Sequence, residues 1–433
     1  GFESCFMKET RRQFLRNTSF IAAPMIVKSS VLGKEGATSP NSKIQMACIG
    51  VGGQGTGNMN NFLQDERVKV VAICDVDDSH KQRALRAAKL SDKDGFSDYR
   101  EIMSRKDIDA VMIATPDHWH SLITVDAARS GKDIYCEKPL AASIAEGRFV
   151  TDIVLKEKRV LQCGTWRRSG VHTRMACEWV RNGYIGKLKK VDIGVPGNFQ
   201  IQGGYTGLEK EQKVPDGFDY KMWAGTTPNA PYTPGRCHFN FRWIDDYAPG
   251  YITDWGAHFI DVAHWGMDMD NGGPVEIKAD KVRRREGTIY DAVENFDISY
   301  LYPEDIKMRM FSTQKSSEWG TKFIGSEGLI YVENHKLITT PPELKRKKLQ
   351  SNDERLYVSE NHHRNFVDCV ITRKKTAASV ESAHRAASAC HLGAIAAKLG
   401  RRLKFDPQKE NFINDKDADA LLMRKFHGGW KLS

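Results

Sequence analysis

The stretch IYCEKPLAAS, residues 134–143, sets Lys138 between Glu137 and Pro139 at the end of an apolar run. Lysine ordinarily sits in solvent. A following proline biases its backbone toward an extended form, which aims the amine. An aimed ammonium can donate a hydrogen bond to an oxygen that gains charge, or, with its charge suppressed, exchange a proton. Farther along, GYITDWGAHFIDVAHW at 250–265 carries Asp254, His258, Asp261 and Trp265 at intervals of four, three and four. On one helix these positions share a face, beside an apolar stripe of Phe259, Val262 and Ala263. A histidine there suits general-base work on a hydroxyl, with Asp254 setting its tautomer and favouring the imidazolium. For His258 alone a hydrogen-bonded core histidine is the plainer alternative; the stripe taken with Lys138 favours the catalytic reading.

A second pattern supplies a redox partner. GVGGQG places Gly50, Gly52 and Gly55 at the spacing of a dinucleotide turn, with Gly53 and Gln54 inside it. It ends one expected strand and opens one expected helix, the context the motif requires. Such glycines let backbone N–H groups approach a pyrophosphate, and the helix N-terminus adds partial positive charge. Asp75 ends the next strand, where a carboxylate accepts from a ribose hydroxyl and repels a 2′-phosphate. The expected cofactor is NAD rather than NADP. Ligands of such sheets lie at the carboxyl ends of the strands. Asp75, Thr115, Pro116, Glu137 and Lys138 all fall at expected strand ends, with Lys138 at the nicotinamide end of the groove.

The elements that must hold these residues alternate from Lys43 onward. KIQMACIGVG, VKVVAICD, IDAVMIATP, DIYCEKP and RVLQCGT read as buried strands, separated by helical stretches that include Asn58–Leu63. That rhythm predicts a doubly wound parallel sheet, a Rossmann domain over residues 43–168. From 169 to 433 the pattern predicts a second α/β domain with an open, largely antiparallel sheet, built from EIKADKVRRR, AVENFDISYLY, IKMRMFST and TKFIGSEGLIYVE. Helices at 361–373 and 379–400 close that domain or pack back on the first. The irregular region 196–252 is rich in aromatics, which argues against disorder. Trp243 and Tyr251 are expected to form a stacking wall for the substrate or to pack at a domain interface. In GTWRRSG, Arg167 or Arg168 is expected to contact substrate or cofactor, or to form a surface salt bridge. Asp117 of DHWH reads as a helix N-cap, with one of the two histidines facing the cleft.

The bulk composition excludes several classes. The 433 residues are 40% apolar and 28% charged, with a net charge of +10. The basic residues are scattered, and the densest cluster, LKRKKL at 344–349, reads as a solvated loop. Nucleic acid is therefore not an expected partner, although the charge helps attract anionic ligands. No apolar run reaches membrane-spanning length. Nine cysteines without a CxxC pair suggest neither a disulfide framework nor a zinc site, and His118 with His120 lacks further ligands at metal spacing, so no metal is expected. His384 and His391 read as core residues. Near the start, Thr10, Arg11, Arg12, Phe14, Leu15 and Arg16 fall in the order of a twin-arginine export signal. A basic amphipathic arm is the alternative. Residues 1–42 read as signal and linker, with periplasmic export of the folded chain as the expectation and a cytoplasmic location as the alternative. Residues 1–6, before Met7, read as an artificial tail or as an upstream start.

Taken together, Gly50–Gly55, Thr115-Pro116, Glu137-Lys138-Pro139 and the Asp254/His258 spacing resemble the Gfo/Idh/MocA oxidoreductases, the glucose–fructose oxidoreductase and inositol dehydrogenase superfamily. GSEGLIYVE at 325–333 also looks like that family's C-terminal sheet. The resemblance implies hydride transfer at a carbinol carbon of a sugar, glycoside or polyol. It also implies a homo-dimer or homo-tetramer formed through the open sheet. Lys138, Asp254 and His258 match the family's catalytic positions. An exported enzyme must keep its cofactor bound and recycle it, so two other readings stand beside a dehydrogenase or transhydrogenase. One is an NAD-dependent glycosidase, lyase or epimerase working through a transient keto-sugar; the other is a non-catalytic sugar-binding protein.

Overall fold

The structure, a computed structural model, describes residues 43–433. The Arg11–Arg12 segment and the linker lie outside the described residues. Six parallel strands form the first sheet: β1 (Ile44–Ile49), β2 (Val68–Cys74), β3 (Gly95–Phe96), β4 (Ala110–Ile113), β5 (Asp133–Cys136) and β6 (Leu161–Cys163). Their order is β3-β2-β1-β4-β5-β6, so the winding reverses between β1 and β4. A crevice opens at such a reversal, and it is where ligands of these sheets bind. β1, β4, β5 and β6 are almost wholly buried, as strands covered by helices on both faces must be. β3 is two residues long and has no apolar run to announce it. The helix after β1 spans Gly53–Leu63 and begins inside the glycine motif, five residues earlier than expected, because glycines hide a helix start.

The second sheet has nine strands: β7 (Leu188–Pro196), β8 (Glu276–Arg284), β9 (Val293–Tyr302), β10 (Ile306–Thr313), β11 (Gly320–Gly325), β12 (Leu329–Glu333), β13 (Lys336–Thr340), β14 (Leu403–Asp406) and β15 (Asn411–Phe412). Their order is β13-β12-β11-β7-β10-β9-β8-β14-β15. Only β7 with β10 is a parallel pair among them, so the sheet is mixed and largely antiparallel. TKFIGSEGLIYVE is two antiparallel strands, β11 and β12, rather than one. Period-two burial runs through β9 and β10, with Ile298, Tyr300, Met308 and Met310 inward and Ser299, Lys307 and Arg309 outward. Helices Val171–Arg181, Gly256–Met267 and Val380–Leu399 cover the inward face. The helix Val380–Leu399 also packs on Ile144–Lys156 of the first domain, and Cys163 N donates to Ala378 O. No helix among the described residues is long and apolar enough to cross a membrane.

Three expected site residues belong to this core instead. Trp243 is fully buried, stacked on Phe199 with ring centroids 4.6 Å apart and set edge-on to Tyr251 at 4.8 Å. Neither Trp243 nor Tyr251 lines the cavity described below, so the stacking-wall expectation is corrected: they hold the irregular region onto the second sheet. Arg168 is neither a ligand contact nor a surface salt bridge. It is 3% exposed and bonds Asp261 through Nε at 2.8 Å and Nη2 at 2.7 Å, and Asp270 at 2.9 and 2.7 Å. The second acid of the Asp-His-Asp stripe is thus held by a buried ion triad. Removing one partner leaves the other's charge unsolvated. Arg168→Met is expected to lower stability by about 3–5 kcal/mol, read from urea unfolding midpoints; a loss below about 1 kcal/mol would contradict this account of the triad.

Candidate active site

A cavity of about 1030 Å³ runs along the carboxyl ends of the first sheet and is closed on its other side by the second domain. At one end lies the glycine turn. Gly50 has φ +77°, and a Cβ there would sit 2.7 Å from the Ala114 carbonyl carbon; a Cβ on Gly55 would sit 1.9 Å from the Gly50 oxygen. Only glycine lets β1, β4 and the helix meet this closely. Gly52, Gly53 and Gln54 line the cavity, and no side chain caps the helix N-terminus there. Asp75 also lines it; its carboxylate accepts from Val51 N at 2.8 Å and Asp77 N at 2.9 Å, so it fixes the turn as well as facing the groove. Thr115 and Pro116 follow β4, with Thr115 Oγ1 buried and unpartnered. Glu137 accepts from Asn58 Nδ2 at 2.9 Å and Gln54 Nε2 at 3.3 Å.

At the other end, Lys138 Nζ donates to Asp254 Oδ1 and to the Asp254 carbonyl, each at 2.7 Å. Arg242 Nε donates to the same Oδ1 at 3.2 Å. Burial pushes the Asp254 carboxyl up, but Lys138 and Arg242 outweigh it and hold it at about 2. His258 also lines the cavity, with Nδ1 buried and unpartnered. Burial pushes the imidazole well below its ordinary range, and Lys138 and Arg167 push the same way. This corrects one expectation. Asp254 is engaged by Lys138 and Arg242, no hydrogen bond joins it to His258 among the described residues, and His258 is neutral rather than imidazolium. The reason is local: the stretch 250–265 is not one helix but Tyr251–Asp254 and Gly256–Met267 meeting at Trp255.

Residues 44–165 match the family description "Oxidoreductase family, NAD-binding Rossmann fold", and residues 169–432 match "Oxidoreductase family, C-terminal alpha/beta domain", the two parts of Gfo/Idh/MocA. The chain belongs to the Gfo/Idh/MocA oxidoreductases. An aldose–aldose oxidoreductase from Caulobacter crescentus, solved with glycerol, superposes with a TM-score of 0.61 at 17% identity, covering 84% of this chain and 100% of that one. A scyllo-inositol dehydrogenase from Lactobacillus casei, solved with NAD(H) and scyllo-inositol, gives 0.59 at 16%, covering 84% and 99%. At these identities the likeness is one of fold. An α-N-acetylgalactosaminidase of Shewanella oneidensis is 28% identical over 203 residues, 41% of this chain and 44% of that protein. A glycosyl hydrolase family 109 protein of Shewanella pealeana is 26% identical over 204 residues, 42% and 45%. The chain matches less than half the length of either.

The residues of this Gfo/Idh/MocA chain fit a dinucleotide. The Gly50/Gly55 cradle admits no Cβ, the uncapped helix suits a pyrophosphate, and the acid at Asp75 suits a ribose hydroxyl. Several cavity residues escaped the sequence reading. Asp117 is not the N-cap, which is Pro116, but the first helical residue. Its carboxyl lines the cavity and is pushed up to about 7 by burial, against the pull of Lys138 and Arg242. Arg242 lies against Phe239 and Phe241; a lone arginine among aromatics was its only signal. Of DHWH, His120 is the histidine that faces the cleft, its ring between Pro139 O at 2.6 Å and Thr115 O at 2.8 Å, while His118 turns to Trp223 O. Arg167 lines the cavity, ion-paired to Glu333 at 2.9 Å. Near Asp75, ligand atoms of Asp77, His80 and His238 lie within 4.8 Å of one another. His384 and His391 bond Glu410 and the Ala141 carbonyl inside the protein.

Gly55→Ala is expected to weaken NAD binding at least about tenfold, roughly 1.4 kcal/mol, measured by titration calorimetry; unchanged affinity would dissociate the turn from the cofactor. Asp117 gives a pH test. Its folded pKa of about 7 lies above the ordinary 3.8, so the proton it keeps stabilises the fold fully below the unfolded pKa, and that contribution is lost as pH rises through about 7. Asp117→Asn is expected to flatten the fall in unfolding midpoint between about pH 4 and 7; an unaltered profile would remove Asp117 as its source.

Proposed function

We propose that this chain oxidises a secondary hydroxyl of a sugar, glycoside or polyol, with NAD as the partner. The observation that carries the reading is the meeting of an anchored ammonium, Lys138, and an unpartnered neutral imidazole, His258, in the cavity that also holds the glycine turn. The bound nicotinamide supplies a hydride acceptor. Lys138, held by Asp254, donates a hydrogen bond to the reacting oxygen and makes the hydroxyl more acidic. His258, neutral, takes the hydroxyl proton. Arg242 bonds the same carboxylate oxygen of Asp254, so the ammonium is positioned before substrate arrives. The carboxylate of Asp75 favours NAD over NADP by repelling a 2′-phosphate.

A second reading is supported by Asp117. A carboxyl with a pKa of about 7 still carries a proton near neutrality and can give it to a departing alkoxide. Oxidation of one ring carbon acidifies the neighbouring C–H. Loss of that proton and of the glycosidic C–O bond, followed by addition of water and reduction of the ketone, cleaves a glycoside with no net redox change. The names of the partly matching glycosyl hydrolase relatives favour this class. Export of the folded chain, which the Arg11–Arg12 segment supports, would also require a cofactor that is kept and recycled.

Free sugars, glycosides and cyclitols are screened with the NAD-loaded protein, following nicotinamide absorbance and product masses. Ketone with accumulating NADH supports the first reading; glycoside cleavage without net NADH supports the second. Lys138→Met is expected to cut turnover by about 10²–10⁴-fold while NAD affinity stays within about threefold. Wild-type turnover in that variant would remove the lysine from the chemistry.

A further inference from the structure

A second cavity, of about 600 Å³, adjoins the first and shares Trp166 and Arg167 with it as a common wall. It lies where the turn Trp166–Ser169, the turn between β12 and β13, and the start of the helix His362–Thr372 come together. The mechanism above uses none of its other residues.

Its chemistry is specific. Trp166 is 39% exposed although it stands 6.1 Å from the His258 ring, centroid to centroid. An exposed indole at the edge of a reacting site offers a flat apolar surface. Arg167 is 6% exposed, its guanidinium lies over the Trp166 ring, and its Nε is buried with no partner. His172 Nδ1 is likewise buried and unpartnered. Ser169 Oγ lies 2.7 Å from Ser359 Oγ and from His362 Nδ1. An apolar platform edged by unsatisfied donors and by hydroxyls matches a sugar ring, which has an apolar C–H face and a polar rim. The volume falls in the range of small-molecule sites, about 300–1,000 Å³.

We propose that this cavity seats a second sugar ring of the substrate, so that the substrate is an oligosaccharide or disaccharide glycoside and not a free monosaccharide or cyclitol. The inference rests on the oxidation reading for its first ring. Trp166 carries the junction between the rings, and Arg167 and His172 bond hydroxyls of the second. The atoms that react stay at Lys138 and His258; the second cavity contributes binding and orientation only.

The test uses full-length, NAD-loaded protein and pairs of probes. Methyl glycosides of glucose, galactose and N-acetylgalactosamine are each compared with a disaccharide carrying that sugar at its non-reducing end. Val358, which lines only the second cavity and is 59% exposed, is changed to Trp to fill it. His335→Trp on the β12–β13 turn fills it independently. For whichever pair is turned over, the wild type is expected to favour the disaccharide at least tenfold in kcat/KM. Both variants are expected to raise KM for the disaccharide about tenfold, with its kcat and both constants of the methyl glycoside within twofold. A disaccharide KM unchanged in both variants, or an equal rise for both probes, overturns the proposal. If no probe is turned over, oxidation of these three sugars is excluded, and the oxidation reading is decided by the wider screen above. The cavity is then judged by calorimetry: disaccharide binding that Val358→Trp abolishes upholds it, and absent or unaffected binding overturns it.

Discussion

The pairing of Lys138 with Asp254 joins residues 116 positions apart, one from the end of β5 and one from the second domain. Both side chains are largely hidden, 14% and 16% exposed. Taking either charge out of water alone costs several kcal/mol. Each domain therefore presents a charge that the other helps to satisfy. The ammonium also bonds the Asp254 backbone carbonyl, and Arg242 bonds the carboxylate, so the lysine has one place to be. A lysine is a flexible, mobile charge by nature; here three contacts convert it into a fixed donor beside His258.

That fixed donor matters because the rest of the cavity is aligned to the same edge. Gly50 follows β1, Asp75 follows β2, Thr115 follows β4 and Glu137 follows β5. Parallel strands put all these ends on one side, and the reversal between β1 and β4 opens the space between them. Small bonds then tie the ends to one another. His120 lies between the carbonyls of Thr115 and Pro139; a neutral ring can donate to only one of them, and burial favours the neutral ring. Glu137 is braced by Asn58 and Gln54 from the helix that starts in the glycine turn, and His363 bonds Asn58 in turn. The two ends of the cavity are thus linked through side chains whose main contacts are with each other.

Much of this frame could be read in the sequence, for physical reasons that differ from part to part. The glycine motif is legible because close backbone approach leaves no substitute for glycine at positions 50 and 55. The parallel strands are legible because burial on both faces demands apolar runs. Lys138, Asp254 and His258 stand out as polar residues in apolar company. What pairs with what is a different matter, since periodicity says which residues point inward and not what they meet. Asp261 shares a face with His258, yet its partner is Arg168, 93 positions away. Trp243 and Tyr251 look like a sugar wall and are core, because an aromatic-rich irregular segment must anchor itself somewhere. β7 is faint in the sequence because only its second half is continuously buried. Asp117 looked like a cap, and its altered acidity arises from neighbours supplied by other elements.

The charges around that end of the cavity bear on how the two central residues would act in the proposed oxidation. Asp254 is held ionised at about 2, and its charge is shared by Lys138 and Arg242. Arg167 lies close enough to His258 to press on its titration. An imidazole in such surroundings resists becoming a cation, so His258 is always available to accept a proton but pulls on it weakly. An alkoxide in the same surroundings is stabilised. In the proposed oxidation, the acidity that His258 lacks the strength to extract would come from a hydrogen bond that Lys138 gives to the same oxygen. A proton accepted by His258 in that reaction would also be readily released, which would return the base for the next turnover. Burial that would disable an isolated histidine thus becomes workable when a fixed ammonium stands beside it, and the cross-domain ion pair is what fixes the ammonium.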